Sequence, residues 1–276
     1  MSFKGYIFLF FLSHYFYVCH GLDFIEERLP IKELSGSTYD SVRDLIWFNS
    51  DSGHSKDELI YSYGRGSEDL ISYNVVGFKN IDWEAIDLDE SCENIYIFDI
   101  GNNYSKRSSL RIAKVPIDLE SNILSPIEVH EFHSPLDFEA GFIRNDNLFL
   151  INKSYFGPVN IFHLDLSENE LIKGINLDIR NVTDSEIFDD KLFILSYSSI
   201  YLSKKKINSF SNGQSEALTV IGEKFYVTNE SGRTVILEKK STIEKAICLI
   251  SLLLILAWGI FENLEKISPS KIIFSK

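Results

Sequence analysis

Cysteine is nearly absent. Cys19, Cys92 and Cys248 are the whole complement of a 276-residue chain. Cys19 and Cys248 fall in apolar segments near the two ends, so Cys92 stands alone between them. A disulfide framework within that stretch is thereby excluded, and no CxxC or Cys/His spacing for a structural zinc site is present. A domain of this size folds on burial alone. Basic charge is also short: 27 Lys and Arg stand against 40 Asp and Glu, for a formal charge of −13. Residues 1–21 and the segment from Ile243 onward each carry one net positive charge, which leaves −15 in between. Such a surface repels phosphate backbones and excludes nucleic acid as a partner. It suits a cation or a basic partner, or is a general acidic surface. No G-x-S-x-G surrounds Ser35-Gly36, so a nucleophile elbow is missing. Helical periodicity does not appear before the tail.

Both ends read as targeting elements. Lys4 precedes an apolar, aromatic run from Tyr6 to Val18. Cys19-His20-Gly21 then places small residues at −3 and −1 for cleavage before Leu22. Residues 1–21 are therefore expected to be a secretory signal, with an uncleaved anchor as the alternative. Ala246 to Phe261 is a run of 16 uncharged residues. As a helix it would reach roughly 24 Å against a hydrocarbon core of ~30 Å, with Lys245 and Glu262 able to snorkel. This predicts a transmembrane helix over 243–262 and a short cytoplasmic tail over 263–276. A buried core helix is the alternative for the same run. Lysines flank it equally, so the signal sets the orientation: residues 22–242 outside the cytoplasm, in a single-pass membrane protein.

The 21 Phe and 13 Tyr fall in short runs with polar residues between, a pattern of half-buried strands. A small motif recurs: Leu34-Ser-Gly36, Trp83-Glu-Ala-Ile86, Phe138-Glu-Ala140, Thr183-Asp-Ser185 and Ser215-Glu-Ala-Leu218. With Ser35, Glu84, Glu139, Asp184 and Glu216 taken as equivalent, the spacings are 49, 55, 45 and 32 residues. Each motif precedes a strand centred on Trp47, Tyr96, Phe149, Phe193 or Tyr226, at an offset of 9 to 12 residues. Polar turns such as Asn49-Ser-Asp-Ser-Gly53 separate that strand from a third. A meander of this size is a propeller blade. The expected fold is an all-β propeller of five blades, with six as the alternative. Asp23–Leu29 is expected to lend an outer strand to the last blade and close the ring.

Two strings carry a resemblance. Asn80-Ile-Asp-Trp-Glu-Ala-Ile86 followed by Ile95-Tyr-Ile-Phe-Asp-Ile-Gly-Asn-Asn103 resembles an uncharacterised secreted β-propeller family with N-x-D-W-E-x-I and D-I-G-[DN]-N elements. The turn at 49–53, Asp137-Phe-Glu-Ala140 with Lys153 downstream, and Gln214-Ser-Glu-Ala-Leu218 fit the same pattern, over about residues 33–240. That family is distantly similar to phytase-like, strictosidine-synthase-like and SMP-30-like propellers. Some of those bind Ca²⁺ in the central channel and hydrolyse esters or lactones. Asn102 stands where the pattern has Asp, Asp184 replaces a Glu-type position, and the third and fourth blades look trimmed.

Innermost strands line a propeller's channel, so Glu84, Glu139, Asp184 and Glu216 are expected to converge there. Asp99 and Asp51 end second strands near the same face, and Lys153 is expected at the rim. Carboxylates crowded in a channel repel unless protonated or bound to a cation, and hard oxygen ligands select Ca²⁺ or Mg²⁺. One reading makes Glu84, Asp99, Glu139, Asp184 and Glu216 a Ca²⁺-centred site. The other has each carboxylate accept backbone N–H groups of the neighbouring blade. The function expected is a membrane-anchored module that binds an extracytoplasmic ligand or protein. The alternative is a Ca²⁺-dependent phytase-, esterase- or lactonase-like hydrolase.

Overall fold

A computed structural model describes residues 26–51, 58–64, 69–154 and 157–238. The segments expected to be signal, membrane helix and tail lie outside the described residues. Among the described residues no helix is long and apolar enough to cross a membrane. The span Ile25–Leu237 forms one compact unit, and it is a five-bladed β-propeller.

Strand β1 (Glu26–Arg28) comes first in the chain and belongs to the last blade. Blade one is β2 (Leu34–Asp40), β3 (Leu45–Ser50), β4 (Leu59–Gly64) and β5 (Leu70–Val75). Blade two is β6 (Trp83–Leu88), β7 (Asn94–Asp99), β8 (Leu110–Pro116) and β10 (Glu128–Phe132). Between its last two strands, β9 (Ile123–Leu124) leaves to pair in parallel with β5. Blade three is β11 (Phe138–Arg144), β12 (Asn147–Asn152), β13 (Val159–Asp165) and β14 (Glu170–Leu177). Blade four is β15 (Val182–Phe188), β16 (Lys191–Ser196), β17 (Ser199–Leu202) and β18 (Lys205–Ser209). Blade five is β19 (Ser215–Ile221), β20 (Lys224–Asn229) and β21 (Arg233–Glu238), completed by β1. The closure expected from Asp23–Leu29 is thus present, in the register Glu26 to Val235 and Arg28 to Arg233. Blades three and four are not trimmed: each has four strands, and their outer strands are largely exposed, with no alternation to read.

Local chemistry explains the meander. Asn145-Asp146 and Asp189-Asp190 each hold positive φ at both residues, 48° and 57° in the first pair and 51° and 59° in the second. That is the two-residue hairpin turn whose twist matches the flanking strands, and Asn and Asp tolerate it best. Alternate residues of each blade then face the next blade. Trp47, Tyr73, Phe78, Trp83, Ile95 and Ile97 fill one such cluster. Phe98, Leu110, Phe132, Phe138, Leu148 and Phe162 fill another. Each fully buried aromatic contributes roughly 1.5–3 kcal/mol of apolar burial. The polar exceptions are concentrated on the inner strands around the axis.

Candidate functional site

Every inner strand has a bulge near its start. The register slips between Leu34 and Gly36, Trp83 and Ala85, Phe138 and Ala140, Val182 and Asp184, and Ser215 and Ala217. The extra residues are Ser35, Glu84, Glu139, Thr183 and Glu216. A bulge re-aims one side chain out of the ladder, and here it does so once per blade around the channel. Glu84 Oε2 accepts a hydrogen bond from the Ser35 hydroxyl at 2.8 Å. Lys153 Nζ meets Glu139 Oε1 at 2.8 Å. Thr183 instead turns its hydroxyl to the Ser215 carbonyl.

A second tier sits on top. The main-chain N–H groups of Asp51, Gly101, Lys153 and Glu230 donate to the carbonyls of Glu33, Asp82, Asp137 and Gln214, one pair each in blades one, two, three and five. The tier therefore presents Asp51, Gly101, Lys153 and Glu230 where second strands end. Two asparagines knit blade one to blade two at this level: Asn49 Nδ2 donates to the Trp83 carbonyl and Asn80 Nδ2 to the Ser50 carbonyl, both at 2.9 Å. That seam brings Asp51 beside Asp82. Asp51, Asp82 and Glu84 each place one carboxylate oxygen within 4.8 Å of the others. A cavity of about 170 Å³ opens here, lined by Asp51, Glu84, Glu139, Lys153, Glu216 and Glu230 among others.

The charges are held under tension. Burial pushes Asp82 up to about 7, and the neighbouring Asp51 pushes in the same direction. Burial, then Glu139, Asp51 and Asp82, hold Glu84 well above the usual carboxylate range. Glu216 is raised by burial to about 7. Glu139 is raised by burial although Lys153 pulls the other way, and the Glu139 carboxylate keeps Lys153 charged against its own burial. Carboxylates this close favour a proton or a cation between them.

The structure brings together Glu84, Glu139 and Glu216 of the expected ring, with Asp51 and Lys153 beside them. Asp184 is not in that set. Its bulge-equivalent is Thr183, and Asp184 stands at the position held by Gly36, Ala85, Ala140 and Ala217. There Asp184 Oδ2 accepts the N–H of Leu218 in the next blade at 2.7 Å, and Oδ1 that of Ser185. The blade-locking alternative describes Asp184, and also Asp87, which accepts the Ile143 N–H. Asp99 is likewise drawn away from the cavity. It is fully buried, ion-paired with Arg107 and Arg111, and accepts the Asp82 N–H at 2.8 Å. Its Oδ1 holds the Asp82 main chain and its Oδ2 is taken by the two arginines. Asp82, the Asp of the N-x-D-W-E element, joins the site without having been expected there.

No protein-family model matches the chain, and a search of curated proteins found no match. Among solved structures the chain resembles β-propeller proteins. A gluconolactonase from Xanthomonas campestris aligns with a TM-score of 0.51 at 6% identity, over 79% of this chain and 90% of that one. A chain of a nidogen/laminin complex aligns at 0.46 and 13% identity, over 72% and 73%. Virginiamycin B lyase from Staphylococcus aureus aligns at 0.40 and 14% identity, over 75% of this chain and 66% of that one. The likeness to the gluconolactonase carries the fold alone.

Proposed function

We propose that the chain is an extracytoplasmic binding propeller whose channel mouth holds a divalent cation, with Ca²⁺ the best fit, and through it a ligand. The observation that carries this is the convergence of Asp51, Asp82 and Glu84 within 4.8 Å. Three hard oxygen donors, with the Ser35 hydroxyl on Glu84, are the chemistry Ca²⁺ takes and zinc does not. Gly101 supports the fit, since the carboxylates of Asp82 and Glu84 crowd the space a β-carbon would fill there. Glu139 and Glu216 face the same cavity and extend its negative field, while Lys153 neutralises Glu139. The apolar run Ala246–Phe261 supports a membrane tether for such a module.

The test is calorimetric titration of the purified chain with Ca²⁺ and Mg²⁺, on wild type and on D82N. Binding that D82N weakens at least tenfold supports the reading. An absence of heat and of thermal shift with either ion rejects it. A hydrolytic version has its own observation: Glu216, raised to about 7 on the same cavity and outside the ligand trio, suits general acid–base work near neutrality. Turnover in an ester, lactone and phosphate screen that needs Ca²⁺ and vanishes in E216Q selects that version.

A further inference from the structure

Below the mouth, the inner strands form another ring. Counting from the bulges, Thr38, Asp87, Phe142, Glu186 and Thr219 share one level on β2, β6, β11, β15 and β19. Two carboxyl groups stand here, at Asp87 and Glu186, with Asp184 close by on β15.

The donors are unevenly shared. Asp87 accepts three: the Ile143 N–H at 2.7 Å, the Leu88 N–H at 2.8 Å and the Thr38 hydroxyl at 3.1 Å. Asp184 accepts main-chain N–H groups on both oxygens. Glu186 is 6% exposed, and its Oε2 is buried without a hydrogen-bond partner. Its carboxyl group faces the Tyr39 main-chain N–H and the Thr38 hydroxyl, two contacts that favour ionisation but are outweighed by burial and by Asp87 and Asp184. A hydroxyl carries one proton, and Thr38 gives that proton to Asp87. The Thr38–Glu186 contact must then be made with a proton from Glu186. The bare oxygen agrees: an unpaired carbonyl oxygen in the interior costs far less than an unpaired carboxylate oxygen.

We propose that Glu186 stands in the channel as a neutral carboxylic acid that donates to Thr38, and that this proton locks blade four to blades one and two. The relay runs from the Glu186 O–H to Thr38 Oγ1 and from the Thr38 O–H to the Asp87 carboxylate. Loss of the Glu186 proton leaves two anions on one hydroxyl, and the seam opens. The titratable groups facing Glu186 are Asp87 from β6 and Asp184 from its own strand, both acidic, and both push its ionisation higher, after burial. From β11 and β19 the same level offers Phe142 and Thr219, which do not titrate. Glu186 is thus an alkaline switch set inside the ring, apart from the mouth.

The test is urea unfolding of the full chain from pH 6 to pH 9, for wild type and E186Q. The glutamine amide can still donate to Thr38 and cannot ionise. The gap between the two midpoints should widen as pH rises from 6, with wild type falling further. Parallel profiles over the whole range overturn the proposal. Should E186Q not fold, infrared spectra of wild type and T38V at pH 8 decide. A protonated carboxyl band that T38V shifts supports the relay; no such band, or one that T38V leaves in place, overturns it.

Discussion

A β-carbon added to Gly101 would lie 2.5 Å from Glu84 Oε1, with the Asp82 carboxyl closer still. The D-I-G element and the N-x-D-W-E element are therefore one structural unit. The glycine is required by side chains that close over it, since its own φ is not in the left-handed region. In G101A the obstructing atoms are the far ends of two flexible side chains, which can swing away. The fold should lose no more than about 1–3 kcal/mol, while Ca²⁺ affinity in calorimetry should fall tenfold or more. Unchanged affinity would separate the glycine from the site.

The mouth carboxylates Asp82 and Glu216, and Asp87 below them, link stability to pH with a definite sign. Asp82 and Glu216 titrate at about 7 in the folded protein, and Asp87 at about 6, against ordinary values of 3.8 and 4.5. The folded state binds more protons than the unfolded one between about pH 4 and pH 7. Stability is therefore fully present below pH 4 as far as these groups are concerned, and is lost as pH rises through 7. Thermal unfolding scans should show a lower midpoint at pH 8 than at pH 5.5. Added Ca²⁺ should restore more of it at pH 8, where the proton no longer competes. A midpoint that rises over this window would contradict the assignment.

Asp99 and Asp51 separate architecture from chemistry. D99A leaves Arg107 and Arg111 without their shared buried partner, and breaking such a cluster costs about 3–5 kcal/mol. D51N keeps the shape of a half-exposed side chain and should cost little stability. Denaturant midpoints should fall strongly in D99A only, whereas Ca²⁺ binding should weaken in both.

Ring closure rests on β1. A proline at Glu27, which pairs with Thr234, removes a ladder donor in the middle of a three-residue strand. E27P should lower the unfolding midpoint and speed proteolysis. An unchanged midpoint would show that three strands suffice for blade five.

The five inner strands were legible because a repeated motif and an aromatic strand 9 to 12 residues after it survive in every blade. The outer strands β5, β10, β14 and β18 were not, since their residues are largely exposed and keep no alternation. Leu171, Ile172 and Ile175 on β14, for example, do not pattern as one face. Asp184 was misaligned by one position because the acid was matched to acids, whereas the backbone matches Thr183, whose hydroxyl serves the bulge. Asp99 was read as a channel group because arginines twelve and eight residues downstream give no sequence signal of where they fold back. Asp82 joins the site only through the asparagine seam to Asp51, a long-range contact that no local pattern records.

The pairing of β1 with β21 also fixes an order of events. Residues 26–28 leave the ribosome first, and their partners 233–235 come some two hundred residues later. Until then the first strand has no ladder to join, and the four complete blades form an open arc with an unpaired flank. Closing that arc is the slowest kind of contact a chain can make, because the ends of the whole domain must meet. The apolar run beginning at Ala246 follows eight residues after β21 ends. Final assembly of the ring is therefore followed closely by the emergence of a 16-residue uncharged apolar run, and a cell making this protein has reason to shield both together.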